Sequence, residues 1–192
     1  MLSLCNIYAP NNQAEQLEFL PELNNCLIDK SELTTLIVGG DWNFTLWRND
    51  KIGGKPWKAT NYRNLVLTTM DMLDLVDIQR ERHPKLRKYY YESKALKVKS
   101  RKDFFLVAKN LTQFVKKSEI YPSTAPDHKV IYISLSLSNE TPTKDADFGN
   151  LIIFCWTMNT MSTKYVKYIF KLVLITPSWP TNGYFGRCLK WK

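Results

Sequence analysis

The chain has 192 residues, of which 44% are hydrophobic and 13% aromatic, and its formal net charge is +9 at pH 7. This composition is typical of one globular domain and argues against a disordered chain. No run of about 18 uncharged apolar residues occurs, so we expect no transmembrane helix and no membrane partner. The four cysteines are scattered along the chain, which indicates an intracellular protein with free thiols and not a disulfide scaffold or a zinc site.

The positive charge is concentrated in the middle of the chain. Residues 1–50 contain two basic and seven acidic residues, whereas residues 80–117 contain thirteen basic and three acidic residues. Such a block predicts a polyanionic partner such as nucleic acid. A solvated, lysine-rich face is the alternative interpretation.

The first third of the chain alternates between strand-like and helix-like segments. Residues 2–8 predict a strand, and the asparagines after it can cap a helix whose leucines recur at helical spacing. Pro21 either interrupts this helix or marks its true start. Residues 33–38 form a short apolar run that predicts a central strand, which Gly39 and Gly40 are expected to stop.

The remaining elements follow in the same alternation. Residues 47–58 predict a surface loop, residues 61–76 an amphipathic helix, and residues 131–137 a strand with alternating burial. Residues 88–93 and 103–108 are expected to pair around a basic turn. The polar segment 139–147 predicts a linker that divides an α/β layered domain, residues 1–138, from a tail, residues 139–192.

Polar residues that could perform chemistry follow several of these strands. Taken singly, each has a structural explanation such as a turn, a cap or a surface ion pair. Together they supply acid–base groups, oxygen ligands for a hard divalent ion, and hydrogen bonds for phosphate oxygens, which is what phosphodiester hydrolysis requires. They are Tyr8, Asn11, Asp41, Asn43, Asp103, Asp127 and His128.

Six segments in a fixed order carry a family resemblance: NIYAPNN, LIVGGDWN, DLVDIQRERHP, KYYYES, SRKDFFLVAKNL and APDHKVIYISL. This series resembles the endonuclease/exonuclease/phosphatase superfamily, and more narrowly the apurinic-type endonuclease domain of LINE-type non-LTR retrotransposons. The resemblance implies a partial four-layered α/β sandwich, the C-terminal half of that domain. The family's first half, with its metal-binding glutamate, has no counterpart here, so we expect a truncated chain.

The resemblance also implies roles for individual residues. Asp41 matches the aspartate that orients or deprotonates the attacking water. Asn43 matches the asparagine that helps to bind the phosphate, and Tyr8 matches an active-site tyrosine near that phosphate. The spacing Asp-x-Asn would place two groups on one loop, both directed at one phosphate.

Three further residues complete the catalytic set that the resemblance implies. His128 matches the histidine that stabilises the pentacovalent transition state, and Asp103 matches the aspartate that orients it. Asp127 matches a carboxylate near the metal, which the family implies to be Mg²⁺, with Mn²⁺ as the alternative.

DNA is the partner that the resemblance and the basic block both favour, and no oligomeric state is predicted. The nucleic-acid-binding residues are expected to be Asn11, Lys88, Tyr90 and Arg101. Two positions depart from the family pattern. Tyr90 replaces a family threonine. Lys102 stands where the family has an apolar core residue, and burying an unpaired lysine would cost free energy of folding.

The main hypothesis is therefore a magnesium-dependent DNA endonuclease of retrotransposon origin whose activity is weakened by truncation. We expect an intracellular location, with the nucleus as the candidate compartment. The alternatives are a nucleic-acid-binding fragment without catalysis, a chain without a stable fold, and a phosphate-ester phosphatase of the same superfamily. Fold likeness alone does not decide the substrate.

Overall fold

A computed structural model describes residues 2–31, 35–89, 91–93, 97–121, 130–136, 150–155 and 172–175. Three predicted site residues, Tyr90, Asp127 and His128, lie outside these ranges. So does the predicted linker at 139–147, and the proposed division at residue 138 stays a prediction.

The described elements alternate between helices and strands up to residue 82, and strands predominate after it. The first part contains β1 (Ser3–Tyr8), α1 (Gln13–Ser31), β2 (Leu36–Asp41), β3 (Lys51–Ile52), α2 (Asn61–Met72), β4 (Leu75–Asp77) and α3 (Ile78–Arg82). The second contains β5 (Tyr91–Ser93), β6 (Val98–Ser100), β7 (Asp103–Ala108), β8 (Val115–Tyr121), β9 (Val130–Ser136), β10 (Asn150–Cys155) and β11 (Leu172–Ile175). Short 3₁₀ helices occupy Arg48–Asp50 and Lys109–Phe114.

A four-stranded sheet in the order β1-β2-β7-β4 forms the centre of the fold. Strand β1 is parallel to β2, and β7 is antiparallel to both β2 and β4. Every residue of β2 and β7 is buried, as expected of central strands covered on both faces. The predicted central strand is confirmed.

The expectation that Gly39 and Gly40 end this strand is wrong, because both lie within β2. A Cβ on Gly39 would fall 2.2 Å from the ring of Phe105, and one on Gly40 would fall 1.9 Å from the carbonyl oxygen of Ile7. Gly40 also has a φ of 143°, which other residues rarely adopt. The glycines therefore let the neighbouring strands approach closely and carry β2 on to Asp41.

Helices α1 and α2 contribute buried side chains to the same hydrophobic core as the sheet. Helix α1 begins after Asn12, whose side chain accepts from the Ala14 backbone N–H at 2.8 Å, and it runs through Pro21 without ending. Helix α2 ends at Met72, earlier than predicted. Asp74 has a φ of 49°, a left-handed conformation that breaks the helix, so Leu75 begins strand β4.

A three-stranded sheet has the order β3-β6-β5. Strand β5 lies in the predicted strand 88–93, whereas β3 and β6 lie in what the sequence predicts as loop and turn. The expected pairing of residues 88–93 with residues 103–108 is wrong. Strand β5 pairs with β6, whereas Asp103–Ala108 is strand β7 of the central sheet.

A second four-stranded sheet has the order β11-β10-β9-β8. Ile131, Ile133 and Leu135 of β9 are buried, as the sequence predicts, but Ser134 between them is buried as well, and the predicted end of the strand at Leu137 lies outside the described residues. The side chain of Arg82 in α3 donates to the Val115 carbonyl of β8 at 2.8 Å and so ties this sheet to the first part. Among the helices of the described ranges, none is long and apolar enough to cross a membrane.

Candidate active site

Three predicted site residues form a row across the end of the central sheet. Asp41 is the last residue of β2, and it is registered with Tyr8 on one side and with Asp103 on the other. Asp41 and Asp103 are 2% and 3% exposed, whereas Tyr8 is 42% exposed. The row therefore runs from two buried carboxylates to a phenol at the surface.

The loop after β2 brings Asn43 to this row. The Asp41 carboxylate accepts from the Asn43 backbone N–H at 2.8 Å, an Asx-type turn that helps Asn43 hold a left-handed φ of 54°. The Asn43 side chain donates to the Ala9 carbonyl at 2.6 Å, and the Ala9 N–H donates to the Asp41 carbonyl at 2.8 Å. Asp41 and Asn43 are thus fixed to the end of β1 that carries Tyr8.

Residues beneath the row are aromatic and tightly packed. The indole of Trp42 stacks on the ring of Phe104 with 5.1 Å between centroids, and its Nε1 donates to the Phe104 carbonyl at 3.2 Å. Tyr62 of α2 is fully buried, and burial, followed by the charge of Asp41, raises the pKa of its phenol well above the ordinary value. Tyr62 therefore belongs to the electrostatic environment of Asp41, and nothing about the position of Tyr62 in its helix indicates this in the sequence.

A buried network of two arginines and two aspartates lies beside the site. Arg101 donates from Nε to Asp50 at 2.8 Å and from Nη1 to Asp77 at 3.0 Å. Asp50 also accepts from Arg80, and Asp77 accepts from the indole of Trp47 at 3.1 Å. The network joins the 3₁₀ turn after β2, the start of α3, and the segment that leads into β7.

The predicted role of Arg101 in binding nucleic acid is therefore corrected. Its side chain is fully buried, and both aspartates occupy its guanidinium. Burial alone would lower the pKa of Arg101, but the charges and hydrogen bonds of Asp77 and Asp50 outweigh it and raise the pKa. Arg101 is a structural cation. The sequence did not indicate its partners Asp50 and Asp77, or the second arginine of the network, Arg80, because these residues are distant from Arg101 in the chain.

Lys102 does not enter the core, contrary to expectation. It is partly exposed, and its Nζ lies 5.2 Å from the centroid of the Tyr91 ring, a cation–π contact. Its backbone carbonyl accepts from Trp42, so the lysine directly preceding Asp103 is held at the edge of the site.

The two remaining predicted nucleic-acid contacts that the structure describes, Asn11 and Lys88, are solvent-exposed. Much of the basic block is also exposed, which leaves its charge available to a polyanion. The exposed basic residues between positions 82 and 117 are Arg82, Lys85, Arg87, Lys88, Lys97, Lys99, Lys109, Lys116 and Lys117.

Metal ligands are incomplete within the described ranges. No group of three or more histidine, cysteine or acidic residues there lies close enough to hold an ion. A hard cation such as Mg²⁺ usually takes six oxygen ligands, and Asp41 and Asp103 are the carboxylates that this sheet edge offers. The described residues do not by themselves make a magnesium site.

Comparison with known proteins agrees with this architecture, although no protein-family model matches the chain. The sequence is 27% identical over 148 residues to the transposon TX1 uncharacterized 149 kDa protein of Xenopus laevis, covering 73% of this chain and 11% of that protein. The chain therefore spans about a tenth of the length of the relative that it matches.

Solved structures share the fold at low sequence identity. A 3′-5′ exonuclease (NExo) from Neisseria meningitidis matches with a TM-score of 0.57 and 20% identity, over 66% of this chain and 58% of that one. An AP endonuclease from Leishmania major matches with a TM-score of 0.54 and 22% identity, over 60% and 42%, respectively. An AP endonuclease from Archaeoglobus fulgidus matches with a TM-score of 0.53 and 16% identity, over 66% and 58%.

The chain thus spans between 42% and 58% of these structures, and at this identity they establish the fold. The resemblance inferred from the six sequence segments is confirmed at that level. The chain is similar in sequence to a transposon protein, and its mixed α/β architecture shares the fold of part of a 3′-5′ exonuclease and of two AP endonucleases.

Proposed function

We propose that the chain is a metal-dependent DNA endonuclease of transposon origin. The observation that carries the proposal is the strand register that aligns Tyr8, Asp41 and Asp103 at one end of the central sheet. Two buried carboxylates beside a surface phenol and an amide make a site suited to a phosphate ester and a water molecule. The similarity to a transposon protein and the fold shared with nucleases favour DNA as the substrate.

In this proposal Asp41 is the base. Its carboxylate is fixed by the Asn43 backbone N–H at 2.8 Å, which holds it in one orientation for an incoming water. Asp103 lies on the adjacent strand, where it orients His128, the proposed stabiliser of the transition state. A general base must lie within hydrogen-bonding reach of the proton it removes, and the register of Asp41 beside Tyr8 supports this role for Asp41.

The phosphate is bound by Asn43 and Tyr8. The bond from the Asn43 amide to the Ala9 carbonyl, 2.6 Å long, orients the carboxamide and leaves its second N–H for a phosphate oxygen. The exposed phenol of Tyr8 supplies a second donor. Preorganised donors of this kind stabilise the charge that develops on the phosphate.

The proposed metal is Mg²⁺, with Mn²⁺ as the substitute, and Asp127 is its proposed ligand. A hard divalent ion supplies Lewis-acid stabilisation of phosphate charge.

A plasmid-nicking assay tests the proposal. The purified chain is assayed with magnesium and with a chelator, alongside Asp41→Asn and the control Asp71→Asn. Asp71 is an exposed carboxylate of α2, so its variant matches the change in charge without touching the site. We expect magnesium-dependent nicking that Asp41→Asn lowers by about a hundredfold or more and Asp71→Asn leaves unchanged.

A non-catalytic nucleic-acid-binding module is the second candidate, favoured by the exposed basic residues of the 82–117 stretch. A phosphate-dominated interface loses affinity steeply as salt rises. Salt-sensitive binding by folded protein, with nicking equal in wild type and Asp41→Asn, would replace the nuclease proposal with this one.

A further inference from the structure

A cleft of about 300 Å³ lies beside the row of Tyr8, Asp41 and Asp103, and it has no role in the proposed hydrolysis. Its lining includes Lys51, Lys58, Lys102, Ser100 and Tyr91, and we call it the lysine cleft. Phe44, next to Asn43, also lines it, and Lys102 directly precedes Asp103, so two lining residues are chain neighbours of proposed site residues. Its volume is at the small end of the range for ligand pockets, about 300 to 1,000 Å³.

Strand register explains why these side chains share one face. In the three-stranded sheet, Ser100 of β6 is paired with Lys51 of β3 and with Tyr91 of β5. Directly paired residues project to the same side of a sheet, so all three line the cleft. The next row, which includes Lys99 and Glu92, projects to the opposite side, where these two form an exposed ion pair of 2.9 Å.

The electrostatics of the lysine cleft favour an anion. Of its described lining residues, three are lysines and none is acidic. Thr60, another lining residue, is the N-cap of α2, so the positive end of that helix dipole lies at the cleft wall. The first turn of α2 carries no acidic side chain that would neutralise it.

One buried polar group is unsatisfied at this cleft. Ser100 is 2% exposed, and among the described residues its hydroxyl has no hydrogen-bond partner. Leaving a buried hydroxyl without a partner is costly, and such groups in folded proteins usually have an explanation. A ligand oxygen in the cleft would supply the missing partner.

We propose that the lysine cleft binds a phosphate group other than the one that is cleaved. Lys51, Lys58 and Lys102 supply the charge, the Ser100 hydroxyl donates a hydrogen bond, and Tyr91 supports Lys102 through the cation–π contact. This inference rests on the proposed nuclease function, because it assigns the phosphate to the nucleic-acid substrate. The source is either a terminal phosphate or an internal backbone phosphate.

The test is a titration with inorganic phosphate at constant ionic strength, followed by the amide chemical shifts of Ser100, Tyr91 and Lys102. The variants are Ser100→Ala and Lys58→Gln, and the control is Lys85→Gln, an exposed lysine outside the cleft. We expect saturable shifts confined to the cleft, weakened about tenfold by either cleft variant and less than about twofold by the control. Thermal unfolding of each variant checks that the fold is retained.

A second titration compares a short oligonucleotide with and without a terminal phosphate. Cleft shifts that require the terminal phosphate identify that group as the ligand, whereas shifts with both oligonucleotides identify a backbone phosphate. Shifts spread over many surface lysines, or binding unchanged in folded Ser100→Ala, overturn the proposal.

Failure of this inference is distinguishable from failure of the nuclease proposal. Cleft binding without Asp41-dependent nicking would retain the phosphate site and refute the catalytic function. Asp41-dependent nicking without cleft binding would support the catalytic function and refute the phosphate site.

Discussion

Asp41 and Asp103 are directly opposite each other on adjacent antiparallel strands, and both carboxylates are almost completely buried. Removing two carboxylates from water is costly unless hydrogen bonds or charges compensate. Asp41 accepts one such bond from the Asn43 backbone. The fold therefore brings two buried acids together at this sheet edge, an arrangement that is common at functional sites.

Asn43 provides a test that separates catalysis from backbone strain. At its φ of 54°, glycine is unstrained, whereas alanine costs about 1 kcal/mol. We expect Asn43→Gly and Asn43→Ala both to lose nicking activity by about a hundredfold, because both remove the amide donor. Urea denaturation should show Asn43→Ala to be the less stable of the two. Activity in Asn43→Gly equal to that of wild type would remove Asn43 from the site.

The buried ion network predicts a large loss of stability from a single isosteric change. Asp50→Asn removes one of the two carboxylates that compensate Arg80 and Arg101, and leaves excess positive charge in the interior. We expect a loss of about 3 to 5 kcal/mol in the free energy of unfolding, measured by urea denaturation.

Glu92→Gln is the matched control for that experiment. It breaks the exposed Lys99–Glu92 ion pair, in which both side chains are nearly half exposed, and should cost at most about 1 kcal/mol. Equal losses from the two variants would contradict the structural role assigned to Arg101.

Tyr62 makes stability depend on pH in the alkaline range. Its folded-state pKa is raised by burial and then by Asp41, whereas in the unfolded chain it has the ordinary value of about 10. The folded state therefore retains a proton that the unfolded state loses. The contribution of Tyr62 to stability is complete below about pH 10 and decreases as the pH rises above it.

Tyr62→Phe should remove this part of the pH dependence, measured by urea denaturation between pH 8 and 11. At pH 7 the variant should be neutral or up to about 1 kcal/mol more stable, because among the described residues the Tyr62 hydroxyl has no hydrogen-bond partner. Tyr121→Phe, at an exposed tyrosine, is the control and should leave most of the alkaline slope in place. A slope unchanged in Tyr62→Phe would show that another group causes it.

Gly40 predicts a steric requirement at the centre of the sheet. Gly40→Ala places a Cβ 1.9 Å from the Ile7 backbone carbonyl at an unfavourable φ, so we expect a loss of more than about 3 kcal/mol. Gly54→Ala makes the same chemical change at a φ of 65°, but its Cβ meets the Val98 side chain, which can rotate away. Thermal unfolding should show Gly54→Ala to be clearly the milder variant.

Periodicity and motif spacing predicted the strands and site residues whose pattern is visible in neighbouring residues of the chain. The sequence correctly predicted the buried run of β2 and the buried positions Ile131, Ile133 and Leu135 of β9, because burial and side-chain direction follow directly from residue order. The placement of Asp41 and Asn43 near the end of a central strand was also predicted, although Asp41 is the last residue of β2 and not the start of the loop.

Features that depend on distant partners escaped prediction. Gly39 and Gly40 were interpreted as a strand end because glycine is a local breaker, yet close approach of Ile7 and Phe105 is what requires them. Arg101 was assigned to DNA from its charge, and only Asp50 and Asp77, brought to it by tertiary packing, show that it is buried. Nothing in the sequence indicated that Lys51, Ser100 and Tyr91 share one face.

The row of Tyr8, Asp41 and Asp103 consists of residues far apart in the chain, joined by strand register alone. A slip of β7 by one residue would reverse every side chain and offer Phe104 or Lys102 to Asp41 in place of a carboxylate. No fragment containing two of the three strands would hold the complete row. Nicking activity per mole of protein would then report the fraction of molecules whose sheet has assembled in register, a measure of folding quality that far-ultraviolet circular dichroism cannot provide.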